Sequence, residues 1–285
     1  MQGKTCIVTG ASAGIGQAIA QGLAARGAHV VLVCRSRARA EAAQHAIRTA
    51  TGNSATDIAL TDLASQADIR RLAHEVLQRY PRIHALINNA GVMNTKRKLT
   101  VDGLETVFAV NHLAYFLLTQ LLLPRLFESA PARIVNVASD AHQWATLDFA
   151  DLQNQRRYRG LNVYGQSKLC NLLFTRELAR RIAGTGVTVN SMHPGGVATS
   201  LGWNNGWWAV LVAKVLKPFL RTAEQGADTA IYLTTAPEVT NVNGKYFYNR
   251  REHHPSLAAQ DDEAARRLWE VSEQLTATSA LSARL

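Results

Sequence analysis

Cysteine is scarce in this sequence, with three residues among 285 and none of them in a CxxC pair. Cys6, Cys34 and Cys170 are too few and too widely spaced for a disulfide framework or a cysteine-based zinc site. Charged residues make up only 18% of the chain and hydrophobic residues 47%, a balance that excludes a disordered protein. We therefore expect a globular protein of a reducing compartment, with Cys6 and Cys34 in its core.

Uninterrupted apolar segments long enough to cross a membrane are also missing. A spanning helix needs about 20 apolar residues, and the nearest candidate, which starts at Trp207, is broken by Lys214, Lys217 and Pro218. The chain opens with the strand-like stretch KTCIVTG, whereas a signal peptide would open with a charged segment followed by an apolar one. We therefore expect a cytoplasmic protein.

Acidic residues are in the minority: 31 Lys and Arg against 21 Asp and Glu give a net charge of +10. A nucleic-acid-binding protein usually gathers such charge on one face or stripe. Here the arginines are spread over the chain, often in pairs such as Arg70-Arg71 and Arg180-Arg181, so we predict no nucleic-acid partner. The excess can solvate helix ends, or it can attract an anionic cofactor or an acidic membrane surface.

Short β-branched runs alternate with helix-like segments along the chain. Six runs read as strands, namely KTCIVT, HVVLVC, ATDIAL, HALINN, RIVNVA and VTVNSM, and a seventh is expected near KYFYNR. Between them, apolar residues recur every three or four positions, as in amphipathic helices. Strands that are apolar almost throughout, each followed by a helix, indicate a parallel sheet covered on both faces. We predict an α/β fold: a single doubly wound Rossmann-type domain over residues 1–285, with a parallel seven-stranded sheet.

A less regular segment at about 200–221 interrupts this pattern. It contains Trp203, Trp207 and Trp208 among Val, Leu and Phe residues. Large aromatic and aliphatic side chains favour a bulky apolar ligand through burial of area, so we interpret the segment as a substrate-loop insertion. Ordinary packing is one alternative. An interfacial helix on a membrane surface, with Lys214 and Lys217 facing the lipid headgroups, is another.

A glycine-rich segment, TGASAGIG at 9–16, joins the first strand to the first helix pattern. Gly10 suits a tight turn, Gly14 allows the backbone to approach a pyrophosphate, and Gly16 allows the helix to pack against the sheet. The N-terminus of the helix offers free N–H groups to phosphates. The position on the first strand–helix unit favours dinucleotide binding over a plain glycine-rich turn.

The end of the second strand indicates which dinucleotide is bound. An NAD site usually has Asp or Glu there, which accepts hydrogen bonds from the ribose. This chain has neutral Cys34 followed by Arg35, with Arg37 and Arg39 close behind. A guanidinium binds a 2′-phosphate through charge-assisted hydrogen bonds, so we predict NADP(H). Arg37 and Arg39 are read chiefly as solvated residues of a helix start.

Two further loops follow strand ends, where ligands bind in this architecture. Asp62 could accept a hydrogen bond from an adenine amine, and Leu63 follows it. In the second loop, the small residues Ala90 and Gly91 would let backbone lie along the ribose of the cofactor.

A candidate acid–base pair lies in the pattern YGQSKLCNLLFTRELARR. Tyr164 and Lys168 are four residues apart, which places both side chains on one helix face. An ammonium close to a tyrosine favours the phenolate, so we predict that Lys168 lowers the pKa of Tyr164. Ser139 follows the strand RIVNVA and can bond a substrate oxygen. Asn111 lies in a long apolar helix, where a water that joins it to Lys168 would satisfy it.

These motifs occur together in one order: TGxxxGIG, NNAG, Asn111, Ser139, YxxxK and Pro194-Gly195. The set resembles the short-chain dehydrogenase/reductase family over nearly the whole chain. The resemblance implies that Tyr164 is the acid–base group and that Lys168 lowers its pKa and holds the ribose. It further implies that Ser139 orients the carbonyl and that Asn111 supports a water-linked proton relay.

The resemblance also implies a cofactor-binding set, in which Thr199 contacts the nicotinamide carboxamide. The predicted set is Gly10, Ser12, Ala13, Gly14, Ile15, Gly16, Arg35, Asp62, Leu63, Asn89, Ala90, Gly91, Tyr164, Lys168, Pro194, Gly195, Val197 and Thr199.

A narrower similarity is to the retinol dehydrogenase branch, carried by VNHLAYFLLT, SKLCNLLFTRELARR, GKYF and ARRLWEVS. That branch implies NADP(H) and retinoids, other lipid-like aldehydes or bulkier ketones as substrates. Many of its members carry an N-terminal membrane anchor, which this sequence does not show. Two rival functions stay open: reduction of a conjugated ring or double bond, and a non-catalytic NADP(H) sensor or scaffold.

Two further expectations concern metals and assembly. His112, His142, His193, His253 and His254 show no metal-ligand arrangement, so we predict no metal site. In the family, the helices around residues 111–123 and 164–181 often form a subunit interface, which implies a homodimer or homotetramer. The alternative is that these apolar faces only cover the sheet.

Overall fold

The computed structural model describes residues 1–197 and 220–277. These residues form one sheet with the strands β1 (Thr5–Thr9), β2 (His29–Cys34), β3 (Thr56–Leu60), β4 (Ala85–Asn88), β5 (Ala132–Val137), β6 (Val187–Met192), β7 (Tyr246–Tyr248) and β8 (Arg251–Glu252). The strand order is β3-β2-β1-β4-β5-β6-β7-β8. Strands β1 to β7 pair in parallel. The predicted α/β class and the seven predicted strands are confirmed.

The eighth strand was not predicted, and it pairs antiparallel with β7. The two-residue turn between them consists of Asn249 and Arg250, both with positive φ (50° and 59°). Positive φ at both central residues is the geometry of a type I′ hairpin, which usually carries Gly at the second position. Here Arg250 takes that position, and its side chain pairs with Asp228 on the helix Ala223–Thr235, which precedes β7. The missing glycine explains why the sequence pattern gave no hairpin signal.

Helices cover both faces of the sheet. They are α1 (Gly14–Ala24), α2 (Arg37–Thr51), α3 (Gln66–Arg79), α4 (Thr106–Glu128), α5 (Gly160–Arg181), α6 (Ala223–Thr235) and α7 (Asp262–Thr276). One core cluster lies between the sheet and α1, α2 and α6. A second lies between the sheet and α3, α4, α5 and α7, and a third packs parts of α4, α5 and α7 against Tyr246 of β7. Cys6, Cys34 and Cys170 are buried and free, as expected for the first two.

Helix α4 corrects the expectation about apolar segments. By length and composition it could cross a membrane, with a mean hydropathy of 1.5 over its most apolar 18-residue window. However, 89% of that window is buried inside the protein, so the burial identifies a core helix. The sequence reading missed it because Asn111, His112, Thr119 and Gln120 interrupt the apolar run, and all four are buried.

Helix α7 packs over the two helices that were expected to form a subunit interface. Its Trp269 ring lies 4.9 Å from the ring of Phe116 on α4 and 6.0 Å from that of Phe174 on α5. Ser272 of α7 is 2.8 Å from Nε2 of His112 on α4. These apolar faces are therefore buried within a single chain, so a subunit interface through them would have to form around α7.

Candidate active site

A cleft of about 520 Å³ opens at the carboxyl ends of the parallel strands. From β1 the chain builds the sheet outward in one direction to β2 and β3, and then in the other direction from β4 onward. Ligands bind in the crevice at such a switch point, which here lies between β1 and β4. The predicted residues that line the cleft are Gly10, Ser12, Ala13, Gly14, Ile15, Gly16, Arg35, Asp62, Leu63, Asn89, Ala90, Gly91, Ser139, Tyr164, Lys168, Pro194, Gly195 and Val197. Thr199, Trp203, Trp207, Trp208, Lys214 and Lys217 lie outside the described residues.

The glycine-rich turn is packed so closely that side chains would not fit. Gly10 has φ of 68° and Gly14 has φ of 56°, a region that favours glycine. A Cβ atom on Gly16 would lie 2.3 Å from the Gly10 carbonyl oxygen and 2.4 Å from Nδ2 of Asn89. Asn89 in turn donates from Nδ2 to the Thr9 carbonyl at 2.8 Å. The turn and the loop after β4 therefore form one continuous wall of the cleft.

The amino end of α1 is open to the cleft. The residue before the helix, Ala13, is extended (φ −166°, ψ 165°) and provides no side-chain cap. The first N–H groups of α1 therefore lack a side-chain acceptor, which is the arrangement that binds phosphate. Together with the space left by Gly10 and Gly16, this geometry fits the pyrophosphate of a dinucleotide.

The end of β2 presents positive charge and a neutral thiol to the cleft. Arg35 and Arg39 are exposed and line it together with Ser36. Cys34 is 3% exposed, and its burial raises the pKa of the thiol to about 11. The thiol is therefore uncharged at neutral pH. The only carboxylate on the described wall of the cleft is that of Asp62, and its Oδ1 already accepts a hydrogen bond from the Ala64 N–H at 3.0 Å.

The other two arginines of this region, Arg37 and Arg39, have different surroundings in the structure. Arg39 lines the cleft, although the sequence reading gave it chiefly to the solvated start of α2. Arg37 does not line the cleft and instead faces Glu41 at 3.6 Å. The helical periodicity explains the difference, because residues two apart on a helix point in different directions.

Tyr164 and Lys168 lie on one face of α5, as their spacing predicted. The Lys168 ammonium is 5.6 Å from the centre of the Tyr164 ring. It donates a hydrogen bond to the Val137 carbonyl at 3.0 Å, and the residue is 3% exposed. Ser139 reaches the same point from the end of β5 and is hydrogen-bonded to Tyr164. The geometry brings two hydroxyls and one amine to one end of the cleft.

The predicted direction of the Tyr164 pKa is wrong for the protein chain itself. Burial raises this pKa to about 12, and the hydrogen bond with Ser139 opposes the rise. The same burial lowers the pKa of Lys168 to about 7, so the ammonium that was expected to favour the phenolate is itself disfavoured. Tyr164 is consequently a neutral phenol at neutral pH. This form can give a proton to a substrate oxygen.

Asn111 lies beside the cleft but is not among the described residues that form the cleft wall. The residue is in a π-helical turn, Ala109–Leu113, inside α4, and such turns are frequent at functional sites. Its Nδ2 donates to the Val92 carbonyl at 2.9 Å and to Ser167 Oγ at 3.0 Å, and its Oδ1 accepts from the Val92 N–H at 2.8 Å. Both amide protons are used, so a water-linked relay would need the second lone pair of Oδ1 or a backbone carbonyl of the π-turn.

The loop after β6 closes the far wall. Gly195 has φ of 81°, and a Cβ atom there would lie 2.8 Å from Cδ of Arg221. Val197 and Arg221 form a parallel bridge, and the Arg221 N–H donates to the Gly196 carbonyl at 2.8 Å. Val197, which precedes the predicted substrate-loop insertion, is therefore joined to its last residue, Arg221.

Sequence reasoning missed several residues of this site. The cleft wall also includes Val33, Ser36, Thr61, Ala64, Val92, Thr106, Val110, Val137 and Ala138. Val33, Val137 and Ala138 lie at the ends of apolar strands, where the sequence carries no chemical signal. Tyr115 was missed as well: its hydroxyl donates to the Ala90 carbonyl at 2.9 Å, and its ring centre is 5.8 Å from the Lys168 ammonium. Its position one helical turn after Asn111 could have indicated it.

Comparison with known proteins identifies the family of this chain. Residues 4–208 match the family model described as short chain dehydrogenase, and this chain belongs to that family. The chain is 45% identical over 273 residues to retinol dehydrogenase 12 of Mus musculus, which covers 96% of this chain and 86% of that protein. It is 43% identical over 288 residues to retinol dehydrogenase 13 of Homo sapiens, with 99% and 87% covered. Within the family, the chain falls in the retinol dehydrogenase branch.

Solved structures agree with the fold. An uncharacterized protein from Mycobacterium paratuberculosis matches with a TM-score of 0.79 and 32% identity, over 97% of this chain and 94% of that chain. The RhlG/NADP active-site complex of Pseudomonas aeruginosa matches with a TM-score of 0.70 and 29% identity, over 87% and 94%. The chain is therefore an oxidoreductase of a family that binds nicotinamide cofactors. In the described residues there is no group of three or more His, Cys, Asp or Glu that could hold a metal ion.

Proposed function

We propose that this enzyme interconverts an alcohol and a carbonyl compound with NADP(H). The observation that carries the proposal is the meeting of Ser139, Tyr164 and Lys168 at one end of a cleft whose other end has an open helix terminus and a glycine-rich turn. Bound nicotinamide would supply the hydride, at C4 of its ring. The chain would supply the proton and the positioning.

Each of the three side chains has a role that its position supports. In reduction, Tyr164 donates its phenol proton to the substrate oxygen as charge develops there. Ser139 donates a hydrogen bond to the same oxygen and stabilises its negative charge. Lys168, held by the Val137 carbonyl, would keep the cofactor ribose and the Tyr164 ring in place. In oxidation, each proton transfer runs in reverse.

The cofactor preference follows from the end of β2. Arg35, Arg39 and the uncapped start of α2 at Ser36 offer charge-assisted hydrogen bonds to a 2′-phosphate. A phosphate at this place would meet no carboxylate on the strand end, since Cys34 is neutral. Relatives of known structure support NADP as well, including the RhlG/NADP complex.

Replacing Arg35 tests this preference. We expect intact protein to bind NADPH more tightly than NADH, and Arg35→Ala to weaken NADPH binding alone. A hydrogen bond to a charged group contributes roughly 1.5–3 kcal/mol, which corresponds to roughly 10- to 100-fold in Kd. Calorimetric titration with both cofactors gives the two Kd values.

The chain offers a matched control for that experiment. Arg37→Ala removes the same charge two residues away, from a side chain that pairs with Glu41 outside the cleft. It should leave both affinities close to those of the intact protein. Equal affinities for NADPH and NADH before any substitution would refute the proposed preference.

For the substrate, we propose a bulky hydrophobic aldehyde or ketone of isoprenoid or polycyclic type. The names of the curated relatives, retinol dehydrogenases 12 and 13, support a lipid-like alcohol or aldehyde. Val92, Val110 and Val137 give apolar surface to the described wall of the cleft that Tyr164 also lines. The tryptophans of the 200–221 segment, which would add to it, lie outside the described residues.

Two rival functions make different predictions in the same assay. A reductase of a conjugated ring or double bond would consume NADPH and yield a saturated carbon–carbon bond with the carbonyl intact. A sensor or scaffold would bind NADPH without consuming it. Mixing NADPH with a panel of aldehydes in stopped flow, followed by product identification, separates the three.

The oligomeric state, the cellular location and the domain bounds are predictions that rest on the sequence. A homodimer or homotetramer would have to associate around α7, and light scattering at micromolar concentration would detect it. Peripheral contact of residues 203–220 with a membrane, a cytoplasmic location, and one domain over 1–285 were predicted from the sequence alone.

A further inference from the structure

Ser139 stands on a short and weakly supported element. It is the cap residue of a five-residue 3₁₀ helix, Asp140–Trp144, and helices of this kind have poor hydrogen-bond geometry. Its Oγ accepts a hydrogen bond from the Ala141 N–H at 3.2 Å, and its carbonyl accepts one from the His142 N–H at 3.3 Å. Both bonds are long, and the hydrogen bond with Tyr164 reaches only the Ser139 side chain, so the backbone of this turn would be held loosely without a further contact.

The side chain of His142 supplies the bond that this turn lacks. Its Nδ1 is 2.8 Å from the Ser139 carbonyl oxygen. The ring therefore adds a second, shorter hydrogen bond to the carbonyl that already accepts one from the His142 backbone N–H. The imidazole is fully buried and its ring centre lies 5.2 Å from that of Tyr246 in an edge-on contact. His142 is not among the described residues that line the cleft.

A second contact fixes the form of the ring. Nε2 of His142 is 3.1 Å from the backbone N of Ser256. A carbonyl oxygen can only accept, and a backbone N–H can only donate. The proton therefore stands on Nδ1 and the lone pair on Nε2. Burial lowers the pKa of His142, which keeps the ring neutral, as both contacts require.

We propose that His142 is a positioning residue for Ser139, and that the Ser256 backbone holds it in the tautomer that bonds the Ser139 carbonyl. The inference rests on the proposed function, in which the Ser139 hydroxyl bonds the substrate oxygen. The effect of His142 on the reaction passes through Ser139 alone. A histidine that merely fills the core would affect folding and would act independently of the serine hydroxyl.

A double-substitution cycle tests this route. His142→Phe keeps the ring volume and removes both polar contacts. We expect it to lower kcat/KM for the carbonyl substrate roughly tenfold or more, from the loss of one hydrogen bond and a desolvated carbonyl, and to leave the Kd for NADPH unchanged. Combined with Ser139→Ala it should cost nothing further, because coupled residues are not additive. Additive losses in the double variant would overturn the inference.

Conservative variants provide a second, independent readout. Asn places an N–H close to the position of Nδ1, and Gln places its polar end close to that of Nε2. We therefore expect His142→Asn to keep more kcat than His142→Gln, by roughly tenfold. Equal activities or the reverse order would overturn the proposal, even where His142→Phe does not fold.

A control histidine lies at the opposite end of the sheet. His84 accepts a hydrogen bond from the Thr5 N–H at 3.0 Å, before β4 begins. His84→Phe should lower the thermal midpoint without changing kcat, and its effects should add to those of Ser139→Ala. If Ser139→Ala alone keeps full activity, the proposed role of Ser139 fails and the inference fails with it. If Ser139→Ala impairs the enzyme and the loss from His142→Phe adds to that impairment, the role of Ser139 stands and only the inference about His142 fails.

Discussion

Replacing Tyr164 with phenylalanine is expected to abolish most turnover while NADPH binding and the fold remain. The substitution removes one hydroxyl from a ring that is packed at the end of the cleft beside Ser139 and Lys168. General acid–base help contributes about 10²–10⁴-fold to a rate, so a loss of at least that order is expected in kcat. The measurement is NADPH oxidation under saturating substrate, with cofactor affinity titrated separately.

Tyr158→Phe is the matched control for this substitution. The Tyr158 hydroxyl donates a hydrogen bond to Glu105 at 3.2 Å and does not line the cleft. Its loss should lower stability slightly and leave kcat near that of intact protein. If Tyr164→Phe retained ordinary turnover with any competent substrate, another group would have to supply the proton, and the assignment of Tyr164 would be wrong.

The second large effect is expected at Gly16. In Gly16→Ala the new methyl group would meet the Gly10 carbonyl oxygen at 2.3 Å and Asn89 Nδ2 at 2.4 Å, so the glycine-rich turn and the start of α1 would have to separate. Overpacking of this kind costs about 1–3 kcal/mol. Because the displaced backbone is the proposed phosphate site, we expect NADPH to bind roughly 10- to 100-fold more weakly.

Gly22→Ala in the same helix tests whether this loss is specific. Its added methyl group would meet Cδ1 of Ile231 at 2.3 Å, which is the movable end of a side chain. This variant should bind NADPH normally, with a modest change in thermal midpoint. Titration of both variants decides the matter: unchanged NADPH affinity in Gly16→Ala would show that the turn is not the cofactor cradle.

The fold could be predicted because its signals are local. Strands β1 to β7 are apolar runs bounded by helix patterns, and parallel pairing follows from the helices between them. Strand β8 could not be predicted, because the turn at Asn249-Arg250 lacks glycine and is stabilised by an ion pair to Asp228. That contact joins residues distant in sequence. The covering of α4 and α5 by α7 was missed for the same reason.

Features of the site could be predicted where a motif fixes the spacing of two side chains. They could not be predicted where burial determines a pKa or a contact. The spacing of four between Tyr164 and Lys168 places them on one face, and the structure has them there. The direction of the Tyr164 pKa depends on how much solvent reaches the phenol, and no spacing reports that. The role of Arg39 depended on the helical direction of α2, and the engagement of Asn111 depended on the backbone of Val92.

The most direct test of the central claim is the reduction of aldehydes of increasing chain length by intact protein with NADPH. Absorbance of the cofactor and chromatography of the product are followed in the same reaction. We predict that one alcohol forms for each NADPH consumed, that NADH is a poor substitute, and that kcat/KM rises with each added methylene. Binding of NADPH without consumption, or a saturated carbon–carbon bond with the carbonyl intact, would contradict the proposed reaction. Flat or falling kcat/KM along the series would contradict the proposed substrate.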